Sequence, residues 1–396
     1  MTHHVLTRRA TLLGLTGAVT FGGASLAMAA APTDRRLVVV ILRGALDGMA
    51  AVVPYGDPDL AAWRGELLPP GPGQADGLLD LGGFFGLHPA LAGMHAMYAE
   101  GQLLPVHAIA GATRSRSHFE AQDLLEFGAD HRMTSGWLNR VAGLIPPPPK
   151  SAAGSALAVG SALPILLRGP APVGSWMPQS FQHPQADLYA RIAGLHESDP
   201  VTGPAIAAGL RDRGFSDAVL SGAEPANKYA FPALAASAGR LLADATGPRL
   251  ACLELGGWDT HTYQANRLSG PLKLLDAGLV ALKDGMGDAW RQTAVLVITE
   301  FGRTVRMNGS KGTDHGTGAV AFLAGGAVAG GRVQADWPGL ASGKLFEDRD
   351  LQPTADLRSL AKGVLAAQFG LDDAALAKVF PDSSVAASMS RLIRMA

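Results

Sequence analysis

The sequence predicts an α/β protein built on a mainly parallel sheet with helices on both faces. Three observations predict it. Val38 to Leu42, Leu250 to Leu255, Ala294 to Ile298 and Ala319 to Leu323 are near-continuous apolar runs, the pattern of strands buried on both faces. Helical periodicity fills the stretches between them. Most of the runs end in a short polar motif, at the strand ends where ligands bind in such sheets.

Taken in order, Arg36 to Leu42 reads as the first strand and Pro54-Tyr55-Gly56-Asp57-Pro58 as a turn. A helix is expected from about Ala90 to Glu100, a second strand from Leu103 to Ile109, and a helix from His118 to Phe127. Pro146 to Pro149 cannot continue a helix and must be extended. The Pro-, Gly- and Ala-rich segment at about 146–247 is weakly patterned, and is expected as a cap or insertion on a single domain spanning 30–396. Leu250 to Leu255 returns to the sheet. From about Tyr263 to Met286, Leu268, Leu272, Leu275, Leu279 and Leu282 recur at helical spacing, with Gly270-Pro271 a point where the helix could kink or split. Two further strands follow, then a helix from Ala355 to Phe369 that Gly370 closes.

Residues 1–29 read as a twin-arginine signal peptide. Arg8 and Arg9 are paired, a mildly apolar segment runs from Leu12 to Met28, and Ala27-Met28-Ala29 offers small residues for cleavage. The expected location is therefore the periplasm or outside the cell, with no stable membrane anchor after cleavage. Cys252 stands alone, so no disulfide can form within the chain. A formal net charge of −1 and the lack of a basic run give no footing for nucleic acid.

The polar motifs carry the chemistry. Asp47, in Arg43-Gly44-Ala45-Leu46-Asp47-Gly48, could bind a cation or cap a helix. Asp259 and His261 are i and i+2, so an extended segment points both to one side. Glu300 and Arg303 flank Phe301-Gly302, and His315 sits in a Gly-rich loop. Carboxylates and imidazoles suit a divalent metal ion, with zinc, manganese, iron and calcium left open. The expected metal set is Asp47, Asp259, His261, Glu300 and His315. Ser117 and Glu120 form a capping box. Ser117, at a helix start beside two arginines, is also a candidate nucleophile, with Arg303 as its catalytic companion and Arg114, Arg116 and His118 as substrate-binding groups. No G-x-S-x-G elbow, H-E-x-x-H pair, Walker A loop or paired C-x-x-C is present.

The paired arginines followed by VVVILRGALDGM, RSHFEAQD, GWLNR, LELGGWDTH, VLVITEFGRT and GTDHGTGAV resemble the domain-of-unknown-function family 1501. Motif order is in turn similar to the alkaline phosphatase and sulfatase superfamily, which implies an alkaline phosphatase-like fold. The resemblance implies that Asp47 matches that superfamily's first metal-binding Asp and that Ser117 falls near its nucleophile. Asp259 and His261 fall near an Asp and His of one metal site, Glu300 on the Asp of an Asp-His-Gly strand end, and His315 on the last metal-binding His. Phe301 departs from the pattern by standing where a metal-binding His is usual, the Asp259–His261 spacing is short, and Cys252 lacks the context of a formylglycine cysteine. One metal, or a remodelled pair, is expected.

The leading functional expectation is an exported metal-dependent hydrolase of a small or polymer-borne phosphate or sulfate ester. The alternative is a non-catalytic exported protein that binds a ligand or partner through a degenerate site. A third reading turns the same site to a carboxylic ester.

Overall fold

The structure is a computed structural model and describes residues 34–148, 154–178, 186–200, 202–221 and 227–394. The expected signal peptide lies outside the described residues. Among them no helix is long and apolar enough to cross a membrane.

The main sheet has eight strands: β1 (Arg36–Arg43), β2 (Leu103–Ala110), β3 (Ala156–Val159), β4 (Val173–Trp176), β5 (Leu250–Gly256), β6 (Thr293–Thr299), β7 (Ala319–Ala324) and β8 (Ala355–Asp356). Their order is β8-β2-β7-β6-β1-β5-β3-β4. β1 lies between β5 and β6 and is parallel to both, with Leu37 opposite Leu250 on one side and Ala294 on the other. β7 alone runs antiparallel, to β2 and to β6. The expected mixed, mainly parallel sheet is thus present.

Both faces of the sheet are covered, and alternation along β1 shows how. Val38, Val40 and Leu42 join a core with Leu268, Leu272, Leu275, Leu279 and Leu282 of α1 (Gln264–Met286). Leu37, Val39 and Ile41 join a second core with Leu360, Val364 and Leu365 of α2 (Leu357–Phe369). Successive strand residues point to opposite faces, so only an uninterrupted apolar run can feed two cores. Pro271 lies within α1 and the helix runs through it unbroken, so the kink foreseen at Gly270-Pro271 does not split the element.

The segment at 146–247 does more than lie over the sheet. β3 and β4 extend the sheet beyond β5. The helix Phe231–Ala243 within it packs Ala235, Ala238 and Leu242 into the same core as α1.

The parallel strands β1, β5 and β6 all end at one edge. Because β7 runs the other way, the loop that leads into it arrives at that same edge. Four chain segments are therefore brought together there: 44–47, 257–261, 300–303 and 313–318.

Candidate metal centre

Four side chains meet at this edge: His118, Asp259, His261 and His315. His118 opens the helix His118–Phe127. Asp259 and His261 follow β5, and His315 precedes β7. His261 Nε2 lies 2.9 Å from Asp259 Oδ1, His315 Nε2 lies 3.3 Å from the same oxygen, and His118 Nε2 lies 3.4 Å from Asp259 Oδ2. The two nitrogens His261 Nε2 and His315 Nε2 are 3.0 Å apart. Ligand atoms about 2.0–2.1 Å from a tetrahedral ion stand roughly 3.3 Å from one another, so these separations are of the size a single ion requires. His118, Asp259 and His315 offer ligand atoms all within 4.8 Å of one another.

The other ring nitrogen of each histidine is already engaged. His118 Nδ1 lies 2.8 Å from Glu300 Oε1, His261 Nδ1 lies 3.2 Å from Asp314 Oδ1, and His315 Nδ1 lies 2.8 Å from the carbonyl of Arg116. Each partner is an acceptor, so each Nδ1 donates, and the neutral ring then presents an Nε2 lone pair. Three lone pairs aimed at one carboxylate repel unless a cation or proton sits among them. His118 Nε2 shows this most plainly, being buried and without a hydrogen-bond partner. Acceptors behind ligating histidines are the usual outer shell of a metal site. His118, Asp259 and His315 therefore fit a divalent ion, with His261 beside them against the same Asp259 oxygen as His315. The nitrogen-rich set suits zinc, iron or manganese and disfavours calcium, which takes oxygen ligands.

Electrostatics favour positive charge at this point. The hydrogen bond to Glu300 raises the pKa of His118. Burial alone would raise the Glu300 carboxyl, but hydrogen bonds from His118 and Gln122 outweigh it and hold the group below the usual range. Asp259 is likewise penalised by burial and brought below its ordinary value by Arg303. Burial lowers His315, which keeps its ring neutral.

The remaining expected site residues are placed as follows. Glu300 stands behind His118, not in the cluster. Its Oε1 also accepts from Gly44 N at 2.8 Å and Gln122 Nε2 at 2.9 Å. Asp47 is fully buried and away from the cluster. It caps the turn at Met49 (3.2 Å), pairs with Arg64 and accepts from Gln264 Nε2 at 2.6 Å. Arg303 is buried with all three nitrogens bound, to Asp259 Oδ1 (2.7 Å), Thr313 Oγ1 (3.2 Å) and Thr313 O (2.5 Å). Arg116 is held by Asp350 and Glu347, and Arg114 turns back to the carbonyls of Gly111 and Thr113. None of these three arginines has a guanidinium without protein acceptors.

His118, expected to bind substrate, instead faces the Asp259 carboxylate. Ser117 makes no side-chain cap, because Ser115 Oγ takes Glu120 Oε2 at 2.6 Å. The expected capping box is thus replaced by a pair in which Ser115, two residues earlier, donates to Glu120, and the Ser117 side chain is left exposed at the helix start.

A buried polar network runs behind the cluster. Gln264 Oε1 accepts from Thr260 Oγ1 at 2.9 Å and from Thr313 Oγ1 at 2.6 Å, and Thr313 Oγ1 accepts from Arg303 Nε. Asp47 is thereby linked through Gln264, Thr313 and Arg303 to Asp259. The linkage needs the 312–318 loop pressed against 259–261. Gly312 permits this, since a Cβ there would lie 2.3 Å from the His261 carbonyl carbon. Gln264 and Arg64 gave no sequence signal, being a helix residue and a lone arginine. Asp314 had one, its place beside His315.

No curated protein matches the chain. Residues 114–380, which hold every member of the cluster, match the family described as protein of unknown function (DUF1501). That span is more than half of the chain, and the protein belongs to the DUF1501 family.

Proposed function

We propose that the protein is an exported, metal-dependent hydrolase of a phosphate or sulfate ester, built on an alkaline phosphatase-like fold and working with one metal ion. The observation that carries this reading is the convergence of three Nε2 atoms on the Asp259 carboxylate, each ring fixed from behind by an acceptor. A bound divalent ion supplies Lewis acidity toward an ester oxygen and acidifies water. The chain's own groups do the rest. Glu300, Asp314 and the Arg116 carbonyl hold His118, His261 and His315 in the ligating tautomer. Arg303 orients Asp259 and balances its charge. On this reading Ser117, exposed and next to His118 in the chain, acts as nucleophile or orients the ester. The paired arginines at residues 8 and 9 support export.

One observation favours the alternative of a ligand-binding protein without catalysis: Arg114, Arg116 and Arg303 each have guanidinium donors engaged by protein acceptors, and Arg303 has all three nitrogens so bound. Two measurements separate the readings. Metal analysis of the protein exported from its native host is expected to find one transition metal per chain. An aryl phosphate and aryl sulfate panel is expected to show hydrolysis that Ser117→Ala lowers while metal content stays the same. A chain that carries stoichiometric metal but hydrolyses none of these esters supports the binding reading. A chain that takes up no metal at all removes the hydrolase reading.

A further inference from the structure

A cleft of about 170 Å³ lies directly behind Asp314, lined by Trp63, Arg306, Asn308, Asp314 and Arg349 among others. Three of its lining residues hold His261 and His315 of the cluster from behind. Asp314 holds His261 Nδ1, and Asn308 Nδ2 donates to the His261 carbonyl at 3.0 Å. Arg349 donates to the His315 carbonyl at 2.9 Å.

Arg306 stands out among the arginines here. Its guanidinium lies 4.3 Å over the Trp63 ring. Among the described residues it makes no side-chain hydrogen bond or ion pair, whereas Arg64, Arg114, Arg116, Arg303 and Arg349 are all bound to protein acceptors. The platform beneath it is fixed, with Trp63 Nε1 donating to the Leu340 carbonyl at 2.9 Å and the Trp63 carbonyl accepting from Met307 N at 3.1 Å. A planar guanidinium held on an aromatic face loses little freedom on binding and offers paired N–H groups to a carboxylate, phosphate or sulfate. On the loop that supplies Asp348 and Arg349, Glu347 and Asp348 have φ of 51° and 52° in succession, a conformation that costs non-glycine residues energy and concentrates at ligand sites.

We infer that this cleft is an oxyanion subsite, with Arg306 as its receptor. On the hydrolase reading above, it takes a second anionic group carried by the substrate beyond the ester to be cleaved. The substrate class is then an ester that bears two negative groups, not a simple monoester. Of the acids in the cleft, Asp314 is committed to His261 and Asn308, and Arg349 adds a second guanidinium to the wall that carries Asp348.

The test is a titration of the full mature chain with inorganic sulfate, followed by tryptophan fluorescence against chloride at equal ionic strength. The expected result is a saturable signal in the wild type that weakens at least fivefold in Arg306→Ala and partly recovers in Arg306→Lys. Metal content and thermal midpoint are expected to be unchanged in both variants. An equal response in Arg306→Ala overturns the proposal. Repeating the titration with a chelator separates it from the metal reading. A signal that persists without metal belongs to the cleft and supports the proposal. A signal that vanishes on chelation belongs to the metal centre, which overturns the subsite and leaves the metal reading standing.

Discussion

At the scale of single residues, the division of labour among the acids decides what each substitution does. On the proposed metal reading, Glu300 acts on the cation only through His118. Glu300→Gln keeps the shape but removes the charge that favours a cation at Nε2, so metal affinity is expected to fall by roughly 10- to 100-fold, as for other outer partners. His315→Ala removes a ligand atom and is expected to exceed that loss. Equilibrium dialysis of both variants against zinc checks the order, and equal losses would place Glu300 among the ligands. The same scale shows why part of the site was not legible in the sequence. Asp47 looked like a ligand because the partner that claims it, Arg64, is separated from it by a turn and a strand. His118 was assigned to substrate because a histidine at a helix start carries no mark of the carboxylate it will face. Asp259, His261 and His315 were legible because each follows or precedes a strand whose apolar run is plain.

At the scale of elements, legibility followed burial. α1 was readable from its leucine spacing, since every one of those leucines enters the core. β3 and β4 were not, because each has only four residues, drawn largely from Ala, Val and Gly, and they form strands only by pairing with a sheet edge already made. α2 supplies a test of element chemistry. Asp356 caps its start by accepting from Arg358 N at 2.7 Å, and Gly370 closes it at φ 67°. Only glycine adopts that conformation without cost, so Gly370→Ala is expected to lower unfolding free energy by about 1 kcal/mol. Denaturant unfolding at constant metal content measures it, and a neutral result would mean that the last turn relaxes.

At the scale of the whole molecule, acid should weaken the fold through two histidines, the buried His107 and the half-buried His88. His107 on β2 lies between Phe85 and Trp337, accepts from Ala108 N at 2.8 Å and reaches the Val52 carbonyl at 3.0 Å. Burial lowers its pKa to about 4, and burial lowers His88 to about 4 as well. The folded state then binds fewer protons than the unfolded chain between pH 6.5 and 4. Their stabilisation is complete above the unfolded value and is lost as pH falls toward 4, on the order of 3 kcal/mol for His107 alone. The difference in unfolding free energy between pH 7 and pH 4.5 is expected to shrink in His107→Gln. An unchanged difference would show that His107 titrates normally.

The single reversed strand, β7, fixes when in the protein's life the centre can exist. His118 emerges from synthesis early, whereas His315 enters only with the loop that precedes β7, after β6 is already made. A nascent chain can therefore hold no more than a partial set of ligands, and metal cannot guide the early folding steps as it does in small zinc modules. On the proposed metal reading, capture of the ion would then be a final event, open only to a finished molecule. Refolding of metal-free protein should then proceed at a rate indifferent to added zinc, with zinc slowing only the reverse reaction.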